Sequence, residues 1–87
     1  MFEFDVSKSK ANKIKHGINF DEAKNLWLEN SVVLKSKHLN EERWMLIAPY
    51  MSSLWVAVFT IRFQKIRIIS VRKARLNEKK YYDQEKI

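Results

Sequence analysis

Three runs rich in apolar and β-branched residues follow one another in the second half of the chain, with short gaps between them. The runs are 43–48, 54–62 and 65–72, and the gaps are 49–53 and 63–64. Runs of this composition bounded by such short gaps favour strands. Gaps this short join antiparallel neighbours, so the pattern predicts consecutive β-hairpins. A fourth β-branched run, 31–35, precedes them across the polar segment 36–42.

The first thirty residues carry helical signals instead. Residues 7–16 are predicted to form a helix capped by Asp5 or Ser7, and Gly17 stands where a helix ends in a left-handed conformation. Asn19 and Glu22 have the spacing of a capping box, so a second helix is predicted to begin there. Its apolar residues recur at intervals of three and four, as a buried helix face requires: Phe20, Ala23, Leu26 and Trp27.

Two terminal segments complete the predicted fold. Residues 2–4 alternate like a short edge strand, and residues 75–85 are charged, lack β-branched residues and predict a C-terminal helix. The order β-α-α-β-β-β-β-α predicts an α+β domain in which an antiparallel sheet packs against the two N-terminal helices. The helices are expected to lie on one face of this sheet. A chain of 87 residues is expected to form one domain, 1–87.

The composition excludes several classes of protein. Hydrophobic residues make up 46% of the chain, which is too apolar for a disordered protein. The chain has no cysteine, and therefore no disulfide, thiol nucleophile or zinc-thiolate site. This composition fits a reducing cytoplasm, which is the expected location. The longest apolar run, 54–61, is too short for a transmembrane helix.

Positive charge is concentrated in one segment. The net charge is +7, and residues 61–80 hold eight Lys and Arg against Glu78 alone. Such a concentration is typical of a protein that binds a polyanion. The alternative is a solvated basic face that serves only solubility.

The first predicted helix carries a polar stripe. At about 100° per residue, four side chains fall within one arc: Lys8, Asn12, Lys15 and His16. Ala11 and Ile14 lie beside the arc and are expected to face the core. Two ammonium groups, an amide and an imidazole suit a phosphate or a nucleotide edge. The alternative is an ordinary exposed face in which His16 favours the helix dipole.

The last hairpin carries a second polar group. If Phe63 and Gln64 form the turn, Arg62 faces Lys65 and Thr60 faces Arg67. Three cations then lie at one end of a sheet face that is expected to include Val58, Ile69 and Val71. Like charges at that distance repel unless an anion lies among them, and arginine can bind a phosphate through two parallel hydrogen bonds. The alternative is a set of cations held apart in solvent.

The end of the same strand carries a third group. Arg72 and Lys73 stand there, and Arg75, Lys79 and Lys80 follow. In a regular strand Arg72 faces away from Arg67, whereas a bulge would change this. Cations at the start of a helix interact unfavourably with its dipole. Residues that are unfavourable for the local structure are often kept for function, so this group is a candidate functional site. The alternative is a solvated basic helix start.

These residue types suit one reaction in particular. In RNA the 2′-hydroxyl can attack the neighbouring phosphate, so the enzyme needs no nucleophile or metal of its own. Cations stabilise the charged phosphorane, and a histidine can transfer protons. The sequence has no carboxylate cluster for a metal and no glycine-rich phosphate loop, so no metal and no cofactor are expected.

The same residues resemble the BrnT family of type II toxins, in the RelE/ParE-like superfamily. The N-terminal pattern is Phe2-Glu3-Phe4-Asp5, Lys8, Asn12, Lys15-His16-Gly17, Phe20 and Glu22-Ala23. The C-terminal pattern is Thr60, Arg62, the run 66–70, Arg72-Lys73-Ala74, Glu78 and Tyr82. The family usually has Trp in place of Phe4, and often Gly in the turns at 63–64 and 49–53.

The resemblance implies a RelE-like fold and a ribonuclease toxin inhibited by a BrnA-like antitoxin with a ribbon-helix-helix DNA-binding domain. It also implies a heterotetramer that contacts DNA only through the antitoxin. By position, the implied catalytic set is His16, Arg62, Arg67 and Arg72, and the expected RNA-binding residues are Lys8, Asn12, Lys15, Lys65 and Lys73. The rival interpretation is a non-catalytic basic module that binds RNA or a partner chain, including a degenerate toxin.

Overall fold

The computed structural model of the protein describes residues 1–28, 30–36 and 40–86. Its elements are β1 (Phe2–Glu3), α1 (Val6–His16), α2 (Phe20–Ala23) with a following 3-10 turn (Lys24–Trp27), β2 (Val32–Ser36), β3 (Arg43–Tyr50), β4 (Ser53–Arg62), β5 (Lys65–Lys73) and α3 (Leu76–Lys86). The predicted order of elements is confirmed. The predicted polar segment 36–42 lies partly outside the described residues. None of the described helices is long and apolar enough to cross a membrane.

The five strands form one mixed sheet in the order β1-β5-β4-β3-β2. Strands β2 to β5 are antiparallel neighbours, as predicted. The prediction of a wholly antiparallel sheet is wrong at one edge, because β1 pairs in parallel with β5 through Phe2 with Ile66 and Glu3 with Arg67. The strand β1 leads into a helix and not into a hairpin, so no local turn indicates its partner or direction.

The predicted helix signals are confirmed at both N-terminal helices. The Asp5 carboxylate accepts a hydrogen bond from the Lys8 backbone at 3.0 Å, which makes Asp5 the cap of α1. Gly17 ends that helix with φ 84°, a left-handed conformation. Asn19 and Glu22 form the complete capping box of α2. These local contacts fix where α1 ends and where the chain turns back toward the sheet.

Helices cover both faces of the sheet. The core face, which packs against α1 and α2, carries Leu46, Ala57, Phe59, Ile68 and Val71. The opposite face, called here the open face, carries Met45, Val58, Thr60, Arg62 and Arg67. Helix α3 covers one end of the open face, where Asn77, Glu78 and Tyr81 line a groove with Leu34, Met45 and Ile47. The prediction of helices on one face is therefore wrong.

The inward side of α1 is polar, which corrects a third prediction. Ile14 is 88% exposed and Ala11 is exposed, so neither faces the core. Ser9 and Asn12 are buried instead: the Ser9 hydroxyl accepts a hydrogen bond from the Phe20 backbone at 2.9 Å. The amide of Asn12 donates to the carbonyls of Ile18 and Val71 and accepts from Val71 N–H. Short polar side chains bind the backbone of neighbouring segments here, and hydrophobic periodicity does not detect such contacts.

Candidate active site

A β-bulge brings the arginines of the last strand onto one face. Phe59 pairs with Ile68, while Val58 pairs with Ser70, so Ile69 is an additional residue in β5. A bulge of one residue reverses the alternation of side chains beyond it. Arg72 therefore shares the open face with Arg67, and Val71 lies on the core face. The expectation that Val71 shares the face of Arg67 is wrong, and the bulge is the reason.

The cationic cluster at the last hairpin is confirmed. The turn has two residues, Arg62 pairs with Lys65, and Thr60 pairs with Arg67. Directly opposed side chains have Cβ atoms about 5 Å apart, and diagonal neighbours are about 7–8 Å apart. Three cationic side chains therefore begin within one small area at the hairpin end of the open face. Thr60 is buried among them, and its hydroxyl donates to the Glu42 carbonyl at 2.7 Å.

Glu41 lies between two arginines at this end of the sheet. Its Oε1 atom accepts from Arg62 Nη2 at 3.0 Å, and its Oε2 atom accepts from Arg43 Nε at 3.3 Å. The hydrogen bond from Arg62 lowers the pKa of Glu41 below its ordinary value, and Arg43 lowers it further. The carboxylate is thus charged at neutral pH and is held among cations. Arg62 is half-exposed, so the pair contributes little to stability.

A second carboxylate flanks Arg67. Glu3 faces Arg67 across the parallel β1–β5 pair, and its Oε2 atom lies 3.3 Å from Arg67 Nη1. Both side chains are 31% exposed, which leaves part of the guanidinium accessible from solvent. The repulsion expected between the clustered cations is therefore offset, in part, by the carboxylates of Glu41 and Glu3.

Arg72 is engaged differently from Arg62 and Arg67. Its Nη1 and Nη2 atoms donate to both carboxylate oxygens of Glu78 at 2.7 and 2.8 Å. Glu78 is 9% exposed, and its Oε1 atom also accepts a hydrogen bond from the Arg75 backbone N–H. This second hydrogen bond caps the first turn of α3. The hydrogen bond from Arg72 lowers the pKa of Glu78, and the same contact raises the pKa of Arg72. This bidentate pair joins the end of β5 to α3.

The structure separates His16 from Arg62 and Arg67. Helix α1 starts beside the Ile66 end of β5 and reaches Val71 at Asn12, so it runs toward the Lys73 end. His16 lies one helical turn beyond Asn12 in the same direction. Arg67 is four residues from Val71, which is about 13 Å along a strand, and it points to the opposite face.

The remaining predicted RNA-binding residues are divided between the two faces. Lys65 lies beside Arg62 on the open face, while Lys73 pairs with Trp55 on the core face, with its Nζ atom 5.8 Å from the centre of the indole ring. Lys8 and Lys15 are exposed along α1. Asn12, the fifth predicted RNA-binding residue, is 7% exposed, and its amide donates two hydrogen bonds to backbone carbonyls and accepts one from a backbone N–H.

Several residues of the site were missed by the sequence analysis. Arg43 and Glu3 come near the predicted cations because their strands belong to the same sheet, and Glu41 does so because it directly precedes β3. The spacing of Arg75 and Glu78 is that of a helix cap, and this signal was available in the sequence. Among the described residues, no group of three or more His, Asp or Glu is arranged to hold a metal ion.

The arrangement on the open face suits the binding of a phosphodiester. Arginines offer paired donors and fixed positive charge where a phosphorane would carry negative charge, and a carboxylate between them can accept a proton. The chain matches the family described as "Ribonuclease toxin, BrnT, of type II toxin-antitoxin system" over residues 4–78. This span includes α1, the whole sheet after β1 and the start of α3. Comparison with curated protein sequences gives no significant match.

Proposed function

The chain belongs to the BrnT family of type II toxin-antitoxin ribonuclease toxins, and on that premise we propose that it is a toxin that cleaves RNA on the open face. The observation that carries the proposal is the cluster of Arg62, Lys65 and Arg67 at one end of that face. The family description supplies the class of reaction, and the cluster supplies a location for it.

In the proposed reaction, the 2′-hydroxyl of a ribose attacks the adjacent phosphorus atom and displaces the 5′-oxygen of the next nucleotide. Arg62 and Arg67 bind the non-bridging oxygens and stabilise the charge of the phosphorane. The products are a 2′,3′-cyclic phosphate and a 5′-hydroxyl, whose oxygen takes a proton from water as it leaves. Because fixed guanidinium charges do this work, we expect no dependence on a metal ion.

We assign proton abstraction from the 2′-hydroxyl to Glu41. Its carboxylate is charged and lies between Arg43 and Arg62, where a phosphate bound by Arg62 would be adjacent. A phosphate that replaces Glu41 on Arg62 also removes the contact that lowers the carboxylate pKa, which makes Glu41 a stronger base in the complex. The sequence-based assignment of this role to His16 fits the geometry less well, because His16 lies on α1.

The other basic residues have a supporting role in this proposal. Lys8, Lys15, His16 and Lys73 lie away from the open-face cluster. The three lysines add to the long-range attraction for RNA, which depends on net charge and not on exact contacts. Arg72 is a positioning residue, because its pair with Glu78 holds α3 at the end of the open face.

We further propose the partner and location that the family implies. A BrnA-like antitoxin with a ribbon-helix-helix domain would inhibit the toxin in a cytoplasmic heterotetramer, and DNA would be bound only through the antitoxin. Covering the open face is the simplest means of inhibition. Free toxin would then bind RNA with a steeper salt dependence than the complex, since the antitoxin removes phosphate contacts.

Cleavage of defined RNA by the purified protein in EDTA tests the proposed function. We expect cleavage to continue in EDTA, to leave a 2′,3′-cyclic phosphate, and to stop when the ribose at the cut site is 2′-deoxy. Loss of cleavage in EDTA, or cleavage of the 2′-deoxy substrate, would overturn the mechanism.

A second candidate function is a non-catalytic RNA- or partner-binding module. One observation favours it: Arg62, Arg67 and Arg72 all have carboxylate partners within the chain, as in a stable surface network. Induction of the protein alone in bacteria separates the two candidates. Growth arrest with degraded RNA, relieved by the antitoxin, supports the toxin, and normal growth with soluble expression supports the binding module.

A further inference from the structure

The turn between β4 and β5 holds an aromatic residue in an unfavourable backbone conformation. Phe63 and Gln64 form a two-residue turn with φ of 50° and 66°. Positive φ at both positions is typical of a type I′ turn, for which Asn-Gly is the preferred sequence. A side chain with a Cβ atom crowds the backbone in this region, and a bulky residue there is a true outlier.

Packing within the domain does not compensate for this conformation. Phe63 is 95% exposed, so its ring is almost wholly in solvent. Binding sites often retain residues that are both exposed and conformationally strained, although such residues lower the stability of the fold.

The chain contains a second turn of the same type, which provides an internal comparison. Met51 and Ser52 join β3 to β4 with φ of 49° and 65°, and Met51 is 77% exposed. The segment 49–54 around that turn contains no Lys or Arg. The turn at Phe63, in contrast, lies directly between Arg62 and Lys65, beside the cluster that includes Arg67.

We propose that Phe63 stacks on an unpaired base of bound RNA while Arg62 and Lys65 hold the adjacent phosphates. Aromatic side chains that alternate with cations are the usual means of binding single-stranded nucleic acid, because every base offers a face for stacking. This inference rests on the proposed function and adds a binding residue to it. It also indicates that the substrate is single-stranded at that position, since bases within a duplex are already stacked.

Replacement of each turn by Asn-Gly tests the proposal. Phe63→Asn with Gln64→Gly removes the ring and gives the preferred turn sequence, and Met51→Asn with Ser52→Gly is the matched control at the other hairpin. Both variants should unfold at a higher urea concentration than the wild type, because Asn and Gly adopt the positive φ of these turns at a lower cost than the residues they replace. Phe63→Trp keeps a ring for stacking and serves as the conservative variant.

RNA binding is measured with short 2′-O-methyl single strands, which cannot be cleaved by 2′-hydroxyl attack, carrying the fluorescent base 2-aminopurine at successive positions. We expect quenching at one position in the wild type, the Phe63→Trp variant and the Met51 control. The Phe63→Asn, Gln64→Gly variant should lose the quenching and bind about five- to 150-fold more weakly, the range for the loss of one stacked base.

Wild-type affinity and quenching in the Phe63→Asn, Gln64→Gly variant would overturn the inference while leaving the proposed function intact. Unchanged RNA binding with weakened antitoxin binding would also overturn it and assign Phe63 to a protein contact. A wild type that neither binds nor cleaves RNA would contradict the proposed function itself, and the inference with it.

Discussion

Arg67 and Arg72 lie on the same face of the sheet although five positions separate them on one strand, because β5 bulges at Ile69. Without the bulge, Arg72 would face α1 and could not reach Glu78. The bulge therefore has two effects: it extends the positive face along β5, and it allows the ion pair that fixes α3 over the end of that face.

The Arg72–Glu78 pair predicts a specific pH dependence of stability. Glu78→Gln should lower the free energy of unfolding at neutral pH by about 2 kcal/mol, a value typical of hydrogen bonds to charged groups. The folded-state pKa of Glu78 is lowered, so its contribution is present above the ordinary glutamate pKa and is lost as pH falls through the lowered value. Urea unfolding at a series of pH values measures this effect.

The difference between wild type and Glu78→Gln should consequently shrink on acidification. Glu85→Gln makes the same charge change at an exposed position of α3 and serves as the control, with little effect expected. A constant difference at all pH values would contradict the role of the ionised pair.

The inward side of α1 leads to a pair of opposite predictions. Asn12→Ala leaves the Val71 N–H and the carbonyls of Ile18 and Val71 without their partners, and should cost about 3 kcal/mol. Ile14→Ala removes a side chain that is 88% exposed and should change stability by less than about 0.5 kcal/mol. Urea unfolding of the two variants measures both effects. A larger loss of stability for Ile14→Ala than for Asn12→Ala would show that α1 packs through its apolar side.

This contrast shows what the sequence could and could not reveal about the fold. Element order, the Gly17 stop, the capping box and the hairpin register follow from local rules, and the sequence predicted them. The direction of β1, the bulge at Ile69 and the polar side of α1 depend on contacts between distant segments. No local pattern encodes these contacts.

The candidate site divides in the same way. Arg62, Lys65 and Arg67 were predicted to cluster because they belong to one hairpin with a fixed register. Glu41 reaches them from the segment that precedes β3, and Glu3 from the neighbouring strand β1, and hydrophobic periodicity specifies neither contact. His16 was grouped with Arg62 and Arg67 by family resemblance, but these arginines lie on the face of the sheet opposite to the one that α1 covers.

Glu41 provides a prediction about the proton acceptor. Glu41→Gln keeps the size of the side chain and should lower the cleavage rate about a hundredfold to ten-thousandfold, the range for loss of a general base. Glu42→Gln is the matched control, since Glu42 is the neighbouring carboxylate and pairs with Lys35 at 2.7 Å. Cleavage rates of both variants in EDTA measure the difference, and equal rates would exclude Glu41 as the base.

The same variant has a signature in the pH profile. The arginine contact lowers the pKa of Glu41, so kcat/KM of the wild type should fall on acidification with a midpoint below the ordinary glutamate range. Glu41→Gln should lack this acidic limb. An unchanged acidic limb in Glu41→Gln would assign the titration to another group.

His16 provides a further test of where proton transfer occurs. If the chemistry is confined to the open face, His16→Ala should retain cleavage within a few-fold of the wild type. Single-turnover cleavage at saturating protein measures this. A hundredfold loss in a folded protein would return the general acid or base to α1, as the family resemblance implies.

The most direct test of the account is the single-turnover cleavage rate of Arg67→Ala, measured beside Lys73→Ala. Both variants remove one positive charge from β5, but Arg67 lies on the open face and Lys73 on the core face over Trp55. Loss of one charge-stabilising donor costs about a hundredfold to a thousandfold in rate. The account predicts that loss for Arg67→Ala with the fold retained, and near wild-type cleavage for Lys73→Ala. Equal rates for the two variants, or a larger loss for Lys73→Ala, would contradict it.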